Sequence, residues 1–176
     1  VGVEITEGEH DILLFSSAGK SIRFRESDVR SVGRTAIGVR GIRLADKDKV
    51  VSLIVAESDD PILTATEKGY GKRTQLDEYR AQARGGSGVI SIKTSDRNGQ
   101  VVGAIQVTDE DEMMLISDKG TLVRARAADV SIIGRNTQGV TLINIADDEA
   151  LVSVAKIAET DDDENDTEEA VLSSEE

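Results

Sequence analysis

The sequence predicts an all-β, propeller-like fold of four-stranded blades, and three observations predict it. Gly19, Gly69 and Gly120 stand 50 and 51 residues apart, the mark of an internal repeat. Each is followed 19 residues later by another glycine, Gly38, Gly88 and Gly139, that opens a β-type run. Helix signals are nearly absent, and four short strands per 40–50 residues is the arithmetic of a propeller blade. A sandwich or a barrel would not require equal periods.

The elements of one repeat follow in order. An apolar run precedes the first glycine: ILLFSS, ILTAT and MMLIS. Ala18-Gly19, Lys68-Gly69 and Lys119-Gly120 then turn the chain, because glycine supplies the positive φ that a tight hairpin needs. In the second strand Arg23 and Arg25 alternate with Ile22 and Phe24, and Arg124 and Arg126 with Val123 and Ala125. Alternation by two sets the arginines on one face and the apolar residues on the other. The third run is GVRGIRL, GVISIKT or GVTLINI, and the fourth starts at Val50, Val101 or Leu151. Asn98-Gly99 is a second strong turn signal. Gln75 to Ala83 is the best helical candidate, but it aligns with non-helical stretches elsewhere and is read as loop or one turn.

These periods divide the chain into repeats at about 9–60, 61–110 and 111–158, a partial domain spanning 1–158, and a tail, 159–176, expected to be disordered. Three blades rarely close a ring, since propellers typically have about 4–8. With no initiator Met, the chain reads as the C-terminal half of a larger ring, residues 1–8 being the last strand and loop of an earlier blade. No apolar run is long enough to span a bilayer and no signal peptide opens the chain, so no membrane partner is expected. Cysteine is absent, which excludes disulfides and thiolate sites and fits a reducing cytoplasm. Aromatics are too scarce, at 2%, for base-stacking platforms.

The formal net charge of −13 would argue against a nucleic-acid partner, but it misleads. The tail holds ten of the 34 acids and none of the 21 Lys and Arg, leaving a body of net charge −3. Within the body the bases keep register. Four residues after the first glycine stand Arg23, Arg73 and Arg124; fifteen after it stand Arg34, Arg84 and Arg135. An acid recurs nine residues on, at Asp28, Glu78 and Asp129, and is read as an internal partner for a neighbouring arginine or a loop-fixing side chain. Lys20, Arg25, Arg30, Arg40, Arg43, Lys72, Arg80, Lys93 and Arg126 fill out the same stretches, while the compensating acids gather at 57–60, 109–112 and 147–149. Solubilising surface charge has no reason to keep register, so these fifteen residues are read as a basic band. A band without aromatics, recognition helix or zinc motif suits phosphate contact rather than base reading. The loop Arg84-Gly85-Gly86-Ser87-Gly88 is either a close-approach site for phosphate or a plain surface loop.

ILTATEKGYGKRT (62–74), GVISIKTSDRNGQVVGAIQV (88–107) and MMLISDKGTLVRARAADVSIIGRNTQGVTLI (113–143), with the acidic tail behind them, resemble the C-terminal domain of bacterial DNA gyrase A. The resemblance implies a β-pinwheel, with about three of six blades present, whose blades exchange strands and whose basic rim wraps double-stranded DNA. It further implies a bacterial, cytoplasmic, nucleoid-associated parent, an ATP-dependent type II topoisomerase that introduces negative supercoils. Its partners would be the gyrase A N-terminal region and gyrase B, in an A2B2 heterotetramer. Gyrase A proteins carry a Gln-Arg-Arg-Gly-Gly-Lys-Gly box needed for wrapping. Residues 82–88 keep the glycines but lack two of its bases, and so read as a degenerate counterpart. The related C-terminal domain of topoisomerase IV and a protein-interaction propeller are the alternatives. An acidic tail leans toward gyrase.

Little supports chemistry in this chain. His10 has no companion, and no Walker loop or nucleophile elbow appears. Tyr70 lies in a hairpin and Tyr79 matches Val29 and Val130, a core position. The acids at 109–112 and 161–164 read as solvated charge rather than a Mg²⁺ site. No catalytic residue, metal or cofactor is expected here; ATP and Mg²⁺ would belong elsewhere in the parent.

Overall fold

The computed structural model describes residues 2–158; the expected acidic tail, 159–176, lies outside the described residues. The first repeat forms β1 (Asp11–Ser16), β2 (Lys20–Arg25) and β3 (Val50–Ala56). The second forms β4 (Ile62–Thr66), β5 (Tyr70–Thr74), β6 (Val89–Ile90) and β7 (Val101–Gln106). The third forms β8 (Glu112–Ser117), β9 (Leu122–Arg126), β10 (Val140–Thr141) and β11 (Leu151–Lys156). The glycine turns fall at the expected positions, with φ +77° for Gly19, +75° for Gly69 and +89° for Gly120. After each hairpin the chain makes a single 3-10 turn, at Glu26–Asp28, Leu76–Glu78 and Ala127–Asp129.

The strands make three antiparallel sheets, ordered β3-β1-β2-β6, β10-β5-β4-β7 and β11-β8-β9. Two of the sheets are four-stranded as expected, and the second and third repeats carry four strands each, but the strands are exchanged between repeats as the resemblance implied. The third run of a repeat does not join its own sheet: β6 of the second repeat edges the first sheet and β10 of the third edges the second. A run of only two paired residues carries too little burial to choose a sheet by itself, so the neighbouring repeat's open edge chooses it. In the first repeat the matching segment, 38–44, forms no strand. Residues 2–10 also form none, against the expected strand of an earlier blade; Thr6 and the Gly8 amide instead hydrogen-bond the Glu26 carboxylate.

Two core clusters sit between successive sheets, and a third, Ile12, Ile22, Phe24 and Ile42, lies within the first repeat. Leu13, Phe15 and Ile54 of the first blade meet Ile62, Leu76, Tyr79 and Ala104 of the second. Leu63, Ala65 and Val107 meet Met113, Leu115, Ala127, Val130 and Leu151 in the next layer. Phe15 and Tyr79 pack edge to face with centroids 5.8 Å apart, and Tyr79 is the core residue the repeat alignment expected. Strand β7 packs against both β3 and β11, so the sheets converge at these strands. The opposite edges, β6 of the first sheet, β10 of the second and β9 of the third, therefore point outward.

Candidate nucleic-acid interface

The outermost segments run from the 3-10 turn to just past the donated strand: residues 79–93 and 130–143, with 29–43 as their counterpart in the first repeat. They contain Arg30, Arg34, Arg40, Arg43, Arg80, Arg84, Lys93 and Arg135 and no acid at all. Arg30, Arg34, Arg40, Arg43, Arg80 and Lys93 are exposed; Arg84 and Arg135 are half-buried. Arg25, Arg124 and Arg126 are also exposed, at the ends of their hairpins, each beside a carboxylate: Asp11, Glu112 and Asp129. Lys20 is half-buried at the paired edge of β2.

Two of the three arginines four residues after the turns, Arg23 and Arg73, do not face solvent as alternation suggested. Arg73 is 4% exposed. Its Nε donates to the Val130 carbonyl at 2.8 Å, Nη2 reaches that of Ala128, and Nη1 pairs with Asp109. Arg23 repeats the arrangement one blade earlier. It pairs with the buried Asp11 at 2.6 Å and donates to the carbonyls of Leu76 and Tyr79. Both arginines thus clasp the 3-10 turn of the following repeat. Their main chains bridge in parallel to that repeat too, Arg23 to Ala81 and Arg73 to Ile132. A planar guanidinium with five donors suits this task, because it can satisfy several converging carbonyls at once. Alternation showed which side of the strand they occupy, but that side is covered by the next blade. Arg124 has the same register, and no repeat follows it among the described residues; its side chain is 64% exposed.

The second register clasps in the opposite direction. Arg84 donates to the carbonyls of Asp28 and Arg40, and Arg135 to that of Ile90, each in the preceding repeat. Of the recurring acids, Glu78 lies 3.9 Å from the Arg135 Nε and accepts the Arg135 amide at 3.2 Å, and Asp129 pairs with Arg126, whereas the Asp28 carboxylate enters no ion pair among the described residues. Arg34, with no repeat before it among the described residues, is exposed. Lys72 is fully buried, donating to the carbonyls of Gly134 and Arg135 and to Thr137 Oγ1. Burial pushes its pKa down to about 8, with Glu78 opposing the shift and Arg135 adding to it. Lys72 and Arg73 are thereby corrected from surface to interior positions.

The glycine loop is partly occupied by main-chain pairing. The Gly85 amide donates to the Gly41 carbonyl and the Arg43 amide to that of Gly86. Asn98 does more than turn the chain. Fully buried, it donates to the carbonyls of Lys93 and Gln138 and accepts from the Ser95 amide, pinning Lys93 to the outer segment of the third repeat. Sequence reasoning missed Arg97, which lies over the Tyr70 ring at 4.9 Å and donates to Gln138 on that same outer segment. The signal for it was its place beside the Asn-Gly turn. Among the described residues no group of His, Cys, Asp or Glu is arranged to hold a metal ion, and no helix is long and apolar enough to cross a membrane.

Comparison with known proteins matches residues 10–57, 60–108 and 111–158 to the family model described as DNA gyrase C-terminal domain, beta-propeller. The DNA gyrase A protein of Klebsiella oxytoca is 58% identical over 164 residues, which is 93% of this chain and 19% of that protein. The chain therefore spans about a fifth of the length of that curated relative. A solved DNA gyrase A C-terminal domain superposes with a TM-score of 0.81 at 30% identity, covering 87% of this chain and 52% of that one. The solved C-terminal domain of DNA topoisomerase IV gives 0.83 at 26% identity, covering 89% and 49%.

Proposed function

Since this chain belongs to the DNA gyrase C-terminal domain family, we propose that its outer rim binds double-stranded DNA without regard to sequence and bends it along the blades. The observation that supports this best is the segregation of charge at the outward edge. The three outer segments carry eight Lys or Arg and no Asp or Glu in a chain of net charge −13. Six of the eight are exposed. Phosphates are the ligand such a surface suits, because guanidinium and ammonium donors spread along an edge can follow a backbone but cannot read base edges. Arg97, Arg25, Arg124 and Arg126 extend the same surface. Wrapping would let the parent, an ATP-dependent type II topoisomerase of A2B2 composition, capture a nearby segment for strand passage. This part of it would contribute binding and not catalysis.

Bending 20–30 base pairs by 40–90° costs on the order of 1–6 kcal/mol, which several phosphate contacts can offset. The test is a salt titration of binding to a mixed-sequence duplex. If the six exposed outer bases each neutralise one phosphate, log K falls against log salt with a slope of about −5. Truncation before Glu159 removes ten tethered negative charges and should tighten binding. No binding at low salt by the truncated chain would refute the proposal and favour an acidic protein partner for the same edge.

A further inference from the structure

We infer that Asn98 is a deamidation site, held unreactive by the joint between the second and third repeats, and that its conversion undoes that joint. Asn98-Gly99 is the one Asn-Gly pair in the sequence; Asn136, Asn144 and Asn165 precede Thr, Ile and Asp. Glycine after asparagine leaves the main-chain nitrogen unobstructed, because it has no Cβ. In the reaction that nitrogen, on Gly99, loses its proton and bonds to the Asn98 Cγ, and ammonia leaves. Water then opens the five-membered ring, giving aspartate, or isoaspartate with the main chain rerouted through Cβ and Cγ. The sum is asparagine plus water giving the acid plus ammonia, so no other reactant is needed.

The reacting groups are all engaged in the folded chain, where Asn98 is fully buried. The Gly99 N–H donates to the Ser95 carbonyl at 2.9 Å, so the attacking nitrogen is tied back. The Asn98 Oδ1 accepts from the Ser95 amide at 2.8 Å and from its hydroxyl at 3.2 Å. The leaving Nδ2 donates to the carbonyls of Lys93 at 2.8 Å and of Gln138 at 3.0 Å. Gln138 belongs to the third repeat, and beside it the Thr137 carbonyl accepts the Lys93 amide at 2.8 Å. On the other side the Lys68 amide donates to the Asn98 carbonyl at 3.1 Å. Three segments therefore grip one residue: its own turn, the 66–69 hairpin and the outer segment of the third repeat. Nor can a slower-reacting residue follow it, because Gly99 has φ +73° and a Cβ there would meet Glu67 at 2.9 Å. The ring can form only when this grip opens, and such an opening costs free energy as local unfolding does.

Conversion is not neutral at this position. The same place in the repeat, 29 residues after the hairpin glycine, holds Asp48 in the first repeat and Glu149 in the third. Those carboxylates meet donors. Asp48 accepts from the Ser17 hydroxyl and the amides of Ala18 and Lys49, and Glu149 from the Ser117 hydroxyl and the Ala146 amide. Asn98 faces two carbonyls, which an NH2 group can serve and a carboxylate cannot. Aspartate here would be a buried charge that sets oxygen against oxygen at both. Isoaspartate would in addition lengthen the main chain inside a tight turn. The contact that breaks belongs to the outer segment carrying Arg135, so an aged chain would present an altered rim to any partner.

The test incubates the 176-residue chain at mildly alkaline pH beside a capped synthetic peptide of residues 93–101, and follows both by peptide mass spectrometry. Aspartate and isoaspartate should appear at position 98 of the chain at least about tenfold more slowly than in the peptide. Arg73→Ala, which releases a clasp of this joint, should accelerate the conversion by about threefold or more. Arg23→Ala, which releases the equivalent clasp one joint earlier, should not. Asn98→Asp made directly should speed hydrogen exchange at the Lys93 and Lys68 amides by about tenfold or more. The Gln82 amide, bonded to Arg23 in the earlier joint, should stay as it was. Should that variant not fold, the converted fraction of aged wild type, separated by ion exchange, gives the same reading. A wild-type rate equal to the peptide's, no conversion in either wild type or Arg73→Ala, equal rates in the two arginine variants, or exchange unmoved by the carboxylate would each overturn the proposal.

Discussion

Arg73→Ala separates an arginine that clasps a neighbouring blade from one that merely decorates the surface. In the wild type the side chain is 4% exposed and serves the Val130 carbonyl at 2.8 Å and the Ala128 carbonyl at 3.5 Å. A hydrogen bond from a charged donor is worth about 1.5–3 kcal/mol, and truncation leaves its acceptors buried without a partner. The first bond counts in full, while the second, at the outer limit of length, counts for little. The ion pair with Asp109 adds under about 1 kcal/mol, because that carboxylate is 67% exposed and screened by water. Together with the lost packing of the stem, Arg73→Ala should destabilise the chain by about 3–5 kcal/mol. Arg124→Ala, in the same register but 64% exposed and bound only to Glu112, should cost under about 1 kcal/mol. Urea unfolding, followed by circular dichroism and tyrosine fluorescence, gives both values from the midpoint shift at constant slope. It should be done at dilutions where the midpoint is independent of protein concentration. Equal losses for the two variants would refute the clasp.

The glycines and the buried lysine give two more tests under the same conditions. Gly88→Ala must place a methyl against the Ser21 carbonyl, whereas Gly38→Ala meets only the strain of a positive φ, about 1–2 kcal/mol. Gly88→Ala should therefore be the worse by at least about 2 kcal/mol in urea midpoints; equal costs would mean that the close approach is absent in solution. Lys72 stays charged to about pH 8 when folded and to about 10.5 when unfolded, so between these values the unfolded chain binds more protons and stability rises with pH. From pH 8 to 10 the wild type should gain about 2 kcal/mol relative to Lys72→Met. Parallel pH profiles for the two would show that the lysine is not buried as a cation.

Much of the architecture was legible because glycine at a hairpin is a local requirement, repeated every 50 or 51 residues. The apolar runs before Gly19, Gly69 and Gly120 became β1, β4 and β8, and Tyr79 proved to be core. The destination of the third run was not legible. GVI at 88–90 reads as a strand of its own repeat, but the edge it pairs with belongs to the repeat before. The roles of Arg23 and Arg73 were hidden for a related reason. Period-two alternation tells the side on which a residue lies, and only tertiary packing tells what covers that side. Register was a true signal, but of a repeated joint between blades. The bases outside those two registers, Arg30, Arg40, Arg43, Arg80 and Lys93, are left exposed on the outer segments, as is Arg34.

The central claim is that these outer segments wrap DNA around the blades with one hand, and topology reads such a wrap most directly. Nicked circular plasmid is saturated with the chain truncated before Glu159, ligated, stripped of protein and resolved by gel electrophoresis. The expected result is a shift in linking number of one sign that grows with bound protein and does not depend on plasmid sequence. Neutralising Arg40, Arg43, Arg80 and Lys93 together should abolish the shift while the fold persists. An unchanged linking number under conditions where the duplex is demonstrably saturated would contradict the claim.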